Sequence, residues 1–194
     1  MATGNLPDLA IRAVTPDITT FSKPFVRFYV LPFGGRSTAI RLSTGNFWVL
    51  ASTPLTHDTK AAIDALRPVK WIMAGDAIHA CYFSGFGNKD VAWFHKASKT
   101  LIVADLLSMF NLPGTEQYSK SNSSSRVPIF GTLDPWGSVH KHFVWGQGTD
   151  KAAMTRDAKT VLGWAPERII MCHGDVIEKD TTKAWASAYS KYLS

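Results

Sequence analysis

The stretch "IIMCHGDVIEKD", Ile169 to Asp180, joins an apolar run to a polar group. Its first residues are typical of a buried strand, and a cysteine, a histidine, a glycine and an aspartate follow directly. In layered α/β domains, functional residues lie at the carboxyl ends of strands, where loops converge. Because imidazole is the commonest metal ligand and titrates near neutral pH, His173 is a candidate ligand, general acid or general base. The alternative is a turn in which Asp175 binds backbone amides and His173 is merely exposed.

Two other predicted strands end in the same way. "TLIVADLL", Thr100 to Leu107, places Asp105 after a strand, where a carboxylate ligates a metal, orients a histidine or caps the next helix. "IMAGDAIHA", Ile72 to Ala80, places Asp76 and His79 after a strand, and the alternative for these two is a helix cap and a surface position. Three strands that end in aspartate and histidine are more specific than any one of them. Together they are typical of a metal site assembled from several loops.

The remaining histidines and Cys172 give weaker signals. His140 and His142 form a His-x-His that would share one face in a strand, but no Asp-His follows them. Cys172 is a possible soft ligand beside His173. In a strand its side chain would point away from that of its neighbour, which favours a place in the core.

The periodicity along the chain predicts alternating strands and helices in one α/β or α+β layered domain over residues 1–194. The predicted strands are Pro24–Leu31, Ser37–Ser43, Phe47–Ser52, Val69–Gly75, Val91–His95, Thr100–Ala104 and Pro166–Cys172. The predicted helices run from Thr56 to Pro68, from Asp150 to Trp164 and from Asp180 to the end. The polar segment from Asn111 to Val127 is predicted to be a mobile surface loop.

Composition narrows the class of protein. The chain has 194 residues, 45% of them hydrophobic, and a formal charge of +6. The 21 Lys and Arg residues are scattered, so the charge favours anions without indicating a nucleic-acid partner. A basic adaptor that binds anionic surfaces remains a third hypothesis, on the charge alone. No apolar run reaches the ~20 residues of a membrane span, and no secretory signal is visible. Two distant cysteines favour free thiols and a cytosolic location.

Several stretches together resemble a known family: "WIMAGDAIHA", "WFHKASKTLIVADLL", "FNLPGTEQYSKS", "RIIMCHGDVIE" and the opening "FVRFYVLPFGGRSTAIRLSTGNFWVLASTPLT". Over nearly the whole chain they are similar to an uncharacterised, mainly fungal family of the metallo-β-lactamase-like superfamily. The resemblance implies an αββα sandwich with a site at one edge. In the wider superfamily that site binds two metals, usually zinc, and hydrolyses esters, thioesters, amides or phosphodiesters through a metal-bound hydroxide.

The resemblance also implies roles for individual residues. His173 resembles the last histidine ligand of the superfamily, and Asp105 resembles its bridging aspartate. His79 and Asp76 resemble a histidine and the aspartate of the family's Asp-x-Glu-His-His stretch. His79, Asp105 and His173 would then hold one divalent ion, with zinc expected ahead of iron or manganese. Asp76 would act as the general base or support a ligand.

The chain departs from the family's pattern in the same region. Ile78 stands where the family has Glu, Ala80 stands where it has its second His, and a block after "HACYF" is missing. We therefore expect a degenerate metal site with weak or no catalysis. The alternative is a mononuclear metal-dependent hydrolase that acts on an ester, thioester or phosphodiester of an unidentified small molecule. The missing block would leave a sheet edge uncovered, which favours a homodimer or poor solubility.

Overall fold

The computed structural model describes residues 8–51, 53, 57–66, 78–121, 123–128 and 131–194. Within them, strands and helices alternate along the chain. The strands are β1 (Ala10–Thr15), β2 (Ile18–Lys23), β3 (Val26–Arg27), β4 (Leu31–Pro32), β5 (Gly35–Arg41), β6 (Phe47–Leu50), β7 (Ile78–Tyr82), β8 (Val91–His95), β9 (Thr100–Val103) and β10 (Arg168–Met171). The helices are α1 (His57–Ala65), α2 (Ser138–Gln147), α3 (Lys151–Gly163), α4 (Thr181–Ala188) and α5 (Ser190–Leu193).

Among the described residues, two four-stranded sheets form the centre of the fold. The first has the order β1-β2-β5-β6 and is antiparallel throughout. The second has the order β10-β9-β8-β7, in which β7, β8 and β9 are antiparallel and β10 runs parallel to β9. A parallel pair needs a long crossover between its strands. Helices α2 and α3 lie in the segment that connects β9 to β10.

Successive side chains of a strand point to opposite faces of its sheet, and the core is therefore divided into three interfaces. Ile40 of β5, Ile102 of β9 and Ile170 of β10 are fully buried in one cluster between the two sheets. The alternate residue Ala39 packs in a cluster with residues of α1, on the outer side of the first sheet. Leu101 and its neighbours on the other face of the second sheet pack against α2 to α5. The layers are therefore helix, sheet, sheet and helices, which confirms the predicted α/β sandwich.

The predicted hairpin of β8 and β9, the strand β10 and the helices α1 and α3 are confirmed, each to within three residues of its predicted bounds. The C-terminal helix is divided at Tyr189, whose φ of −96° and ψ of 15° are not helical. Within the described ranges, no helix is both long and apolar enough to cross a membrane.

In the first third of the chain, the predicted strands Ser37–Ser43 and Phe47–Ser52 correspond to the antiparallel pair β5 and β6, whereas the region before them differs from the prediction. Pro24–Leu31 is not one strand, because Phe28 and Tyr29 have φ of 53° and 61° and turn the chain back between β3 and β4. The hairpin of β1 and β2 is an addition that the sequence pattern did not predict. The predicted strand Val69–Gly75 lies outside the described residues.

Candidate metal centre

Two neighbouring strands bring the candidate ligands together. Strands β9 and β10 are parallel and in register, with Val103 beside Met171 at their carboxyl ends. Asp105 follows the first strand, while Cys172 and His173 follow the second. The Nε2 atom of His173 lies 3.5 Å from Oδ1 of Asp105, and the Sγ atom of Cys172 lies 4.0 Å from the same oxygen. One ligand atom from each of the three residues therefore falls in a group less than 4.8 Å across.

A backbone carbonyl fixes the tautomer of His173. Its Nδ1 atom lies 2.7 Å from the carbonyl oxygen of Gly34, which only accepts, so Nδ1 carries the proton. In the neutral ring, the Nε2 lone pair then faces the carboxylate of Asp105. Two acceptors at this distance repel unless a proton or a cation lies between them. Histidines that bind metals are held in this way by a carbonyl behind the ring.

Gly34 is required where it accepts this bond. Its φ is +68°, and a Cβ atom built on it would lie 2.6 Å from Cβ of Gln117. A larger residue would therefore strain the backbone and displace Gln117. The short segment that follows β4 is thus suited to bring its carbonyl group close to the imidazole.

Two residues that precede β8 hold Asp105, one through its carboxylate and the other through its backbone N–H group. Asn88 donates a hydrogen bond from Nδ2 to Oδ2 of Asp105 at 2.8 Å, which leaves Oδ1 toward the histidine. Asp90 accepts the backbone N–H groups of Asp105 and Leu106 at 2.8 and 3.1 Å. Burial raises the pKa of Asp90 and the charge of Asp105 adds to this, although three backbone donors oppose the shift. Asp105 itself does not cap a helix, because bends and not a helix follow it.

Cys172 lies on the same side of the sheet edge as His173. Cys172 is buried, as the sequence predicts, and its thiol lies near Asp105 because strand β10 ends at Met171 and strict alternation stops there. Burial raises the pKa of the Cys172 thiol well above its ordinary range, and the carboxylates of Asp105 and Asp90 raise it further. The thiol is therefore protonated in the metal-free protein, and a metal ion would have to displace its proton.

The three donors suit a divalent ion of intermediate softness. Around a tetrahedral zinc ion, with bonds of ~2.0–2.3 Å, neighbouring ligand atoms lie roughly 3.3–3.5 Å apart. The distance from His173 to Asp105 falls in this range, and the distance from Cys172 to Asp105 exceeds it by about half an ångström. The side chain of Asp105 is 35% exposed and that of His173 is 15% exposed, so an ion has access from solvent.

A buried arginine holds the turn behind the ligands. The side chain of Arg36 is fully buried and donates from Nη1 to the carbonyl oxygens of Met171 at 3.1 Å and Gly174 at 2.6 Å. Its Nε donates to Ser22 at 2.9 Å, and its Nη2 forms an ion pair with Glu116 at 3.2 Å. Burial lowers the pKa of Arg36, and the charge of Glu116 opposes this. Arg36 therefore holds the backbone on both sides of Cys172 and His173.

Gln117 completes this support from a segment that was expected to be a mobile surface loop. Its Nε2 donates to the carbonyl oxygen of Cys172 at 3.2 Å, and its Oε1 accepts the N–H of Gly174 at 3.1 Å. Gln117 and Tyr118 are buried in a 3₁₀ turn at Glu116–Tyr118. The expectation is therefore wrong for this part of the segment. Nothing in the local sequence indicates it, because a polar residue in a polar stretch gives no sign of burial.

A cleft of about 410 Å³ opens directly at the candidate ligands. The hairpin of β3 and β4 and the helix α2 contribute to its walls. Its lining includes Asp105 and His173 together with several aromatic side chains. A ligand in this cleft would meet the carboxylate and the imidazole, which are polar groups in a mostly apolar wall, as is common in small-molecule sites.

The structure does not bring His79 to this group. His79 lies in β7, the last strand of its sheet among the described residues, opposite Phe94, which in turn lies opposite Leu101 of β9. It is thus level with a residue four positions before Asp105, roughly 13 Å along the strand direction and two strands away. Its ring stacks on that of Trp164, with 5.9 Å between centroids. Asp76, the candidate general base, lies outside the described residues.

The His-x-His pair lies in α2 and its two rings do not share a face. His140 is buried, and its Nε2 accepts the N–H of Ser108 at 3.3 Å. His142 is exposed and donates to the carbonyl oxygen of Ser138, one turn earlier, at 2.8 Å. Residues two apart in a helix point in different directions, so these two histidines do not form a ligand pair.

Comparison with known proteins gives matches in structure alone. No protein-family model and no curated protein sequence matches the chain. Among solved structures, the chain is similar to the DIM-1 metallo-β-lactamase, with 12% identity, a TM-score of 0.58 and coverage of 97% of this chain and 99% of that one. It is also similar to a variant of the flavo di-iron protein from Thermotoga maritima, with 11% identity, a TM-score of 0.60 and coverage of 97% and 62%.

A third neighbour is the FIM-1 metallo-β-lactamase from Pseudomonas aeruginosa in its mono-zinc form, with 9% identity, a TM-score of 0.52 and coverage of 96% and 97%. These names assign zinc to one neighbour and iron to another, as properties of those proteins. At such low identity the likeness concerns the backbone arrangement. The layers, the two sheets and these matches together show that the chain has the metallo-β-lactamase fold.

Proposed function

We propose that this chain binds one divalent metal ion, with Asp105 and His173 as ligands and Cys172 as the third donor. The observation that carries the proposal is the position of Nε2 of His173 at 3.5 Å from Oδ1 of Asp105, with Nδ1 bonded to the carbonyl oxygen of Gly34. In the neutral ring Nε2 and Oδ1 are both acceptors, and a metal ion would bond to both of them. Zinc suits the mixed N, O and S donors best, and iron or manganese would be the other candidates.

The same site is proposed to be catalytically weak or inactive. Within the described ranges, three potential ligands form the group, and they come from only two strand ends. A catalytic zinc site needs three protein ligands and one open position, so a loss of any one donor would leave it incomplete. His79 is left out of the proposed ligand set because of its position beside Trp164. Ile78 and Ala80, which replace the family's Glu and His, support a degenerate site.

Metal analysis tests this proposal. The protein is purified without chelator, beside His173→Ala, Asp105→Asn and Cys172→Ser variants. The matched control is His142→Ala, because His142 is exposed on α2 and bonds only within its own helix. We expect about one zinc, iron or manganese ion per chain in the parent and the control, and a loss in the three variants. A metal-free parent, or a His173→Ala protein that retains as much metal as the parent, would overturn the proposal.

The second candidate is a mononuclear metal-dependent hydrolase acting on an ester, thioester or phosphodiester. The cleft that opens at Asp105 and His173 favours it, because a substrate there would lie beside the proposed ion. When bound, the ion would supply Lewis-acid polarisation of a carbonyl or phosphoryl oxygen. Asn88 would hold Asp105 in place, Gly34 would keep His173 in its ligand tautomer, and the aromatic walls would contact the substrate. Asp76 stays the candidate general base, with no contact assigned to it.

The hydrolase proposal is tested by assaying zinc-loaded protein for turnover of ester, thioester and phosphodiester substrates that release a chromophore. Turnover that Asp105→Asn abolishes and His142→Ala preserves would support it. Equal rates in the parent and in Asp105→Asn would leave the inactive metal-binding protein as the better account.

We also propose which family within the metallo-β-lactamase-like superfamily the chain belongs to. We infer a shortened member of the uncharacterised, mainly fungal family, which lacks an internal block before β8. In the described part of the chain, β7 is the last strand of its sheet, and Tyr82 at its end is 55% exposed. A homodimer by strand pairing at β7 is part of this proposal, and sedimentation would test it. The free thiols of Cys81 and Cys172 support a cytosolic location.

A further inference from the structure

The walls of the cleft are aromatic, and this determines what kind of ligand they can contact. Phe33 stacks on Phe110, with 4.6 Å between ring centroids, and forms a T-shaped contact with the ring of His173, with 5.5 Å between centroids. Phe28 from the hairpin and Phe143 from α2 also line the cleft and are 71% and 40% exposed. Exposed aromatic rings around a concave site gain free energy when a flat apolar group covers them.

One cation stands in this aromatic lining. The guanidinium of Arg27 lies 5.6 Å from the ring centroid of Phe28 and 5.9 Å from that of Phe33. In the described ranges, no carboxylate lies within ion-pair distance of it, whereas Arg12, Arg36, Arg41, Arg156 and Arg168 all have such a partner. An arginine stacked on aromatic rings keeps its fork of N–H donors directed outward and loses little freedom on binding an anion.

The cleft presents hydrogen-bond acceptors as well as the cation of Arg27. Asp105 and His173 offer acceptors to a cation, whereas Arg27 offers donors to an anion. A ligand that meets both sets therefore carries an anionic group and, apart from it, a group that approaches the proposed ion. The volume of about 410 Å³ lies within the range of small-molecule sites, which favours a small ligand over a protein partner.

We propose that the cleft binds a small organic anion with a flat apolar body, whose carboxylate or similar group pairs with Arg27 and whose body lies between Phe33 and Phe143. The inference rests on the proposed function in one respect, since it takes this cleft as the place where a substrate meets the ion. It goes further by naming the substrate class. The anionic group at Arg27 determines orientation, and the aromatic walls supply most of the contact area.

Binding of two matched compounds to chelator-treated protein tests this without any metal. The probes are 2-naphthoate and 2-naphthamide, which share one ring system and differ in charge, and calorimetry measures both dissociation constants. We expect the parent to bind naphthoate about tenfold to a hundredfold more tightly than the amide, because a hydrogen bond to a charged group is stronger than a neutral one. The Arg27→Met and Arg27→Gln variants should lose this preference while they retain affinity for the amide. A Phe143→Ala variant should weaken both compounds.

Arg41→Met is the control, because Arg41 is another exposed arginine but pairs with Asp17 away from the cleft. It should leave both dissociation constants unchanged. Equal affinity for the two compounds in the parent, a preference that survives Arg27→Met, or no binding of either compound would overturn the inference. A parent that prefers naphthoate but takes up no zinc would refute only the proposed metal function. A parent that binds zinc without the preference would refute only the ligand class.

Discussion

Replacement of Arg36 by Met removes the cation beneath the candidate metal centre while it keeps a side chain of similar length. Loss of one partner from a buried ion pair costs about 3–5 kcal/mol, because the other charge remains desolvated. Glu116 is 18% exposed and keeps Arg12 at 3.3 Å, which favours the lower end of that range. The carbonyl oxygens of Met171 and Gly174 also lose a donor. We therefore expect a loss of about 3 kcal/mol in the free energy of unfolding.

Urea unfolding of the chelator-treated protein, followed by tryptophan fluorescence, measures this loss. The control is Arg41→Met, which breaks a half-exposed ion pair with Asp17 and should cost less than about 1 kcal/mol. The double variant Arg36→Met with Glu116→Gln should recover part of the loss, because it leaves no unpaired charge. If the Arg36→Met protein unfolds within about 1 kcal/mol of the parent, the ion pair and the two carbonyl bonds do not support the turn as we infer.

Three other substitutions test separate parts of the structure. Burial lowers the pKa of His140 to about 4, so the folded state resists protonation that the unfolded state accepts below its ordinary 6.5. The free energy of unfolding should therefore fall by up to about 3 kcal/mol as the pH drops from 7 to 4. A His140→Gln variant should lack this part of the pH dependence. Equal dependence of the unfolding free energy on pH in the two proteins would contradict the prediction. Gly174 has a φ of +110°, and a Cβ atom there would lie 2.4 Å from Cβ of Met109. Gly174→Ala should therefore lower the free energy of unfolding in urea by more than about 1–3 kcal/mol and weaken zinc binding. A variant as stable as the parent would show that the turn relaxes freely. The hydroxyl of fully buried Tyr189 donates to the carbonyl oxygen of Leu106 at 2.8 Å. Tyr189→Phe should therefore lower the free energy of unfolding by about 1–3 kcal/mol and lower the thermal midpoint. An unchanged midpoint would indicate that water replaces the bond.

Local sequence determined the elements whose pattern agrees with their final surroundings. The strands β8, β9 and β10 are short apolar runs between turn residues, and α3 has an apolar face with Asp150 as its cap. Because strand ends can be located from the sequence, Asp105 and His173 can be assigned to the ends of two strands from the sequence alone. The parallel register of β9 and β10 then brings these two residues together.

The first hairpin and the turn at Phe28 and Tyr29 could not be predicted in the same way. The run from Pro24 to Leu31 has the composition of a strand, and only a left-handed backbone at two non-glycine residues reverses it. Such conformations are costly for these residue types, so composition argues against them and tertiary packing must supply the compensation. This reversal of the chain also affects the cleft, because it places Arg27 and Phe28 in the cleft wall.

The sequence by itself determined the layered α/β class and two of the candidate ligands, because hydrophobic period and strand ends are local properties. Only the tertiary structure placed Cys172 beside Asp105, His79 against Trp164, and Arg36 and Gln117 behind the turn. Each of these depends on contact between residues that lie far apart in the chain. A buried charge such as Arg36 is stable only where a distant carboxylate and distant carbonyl groups meet it, and no local pattern records that meeting.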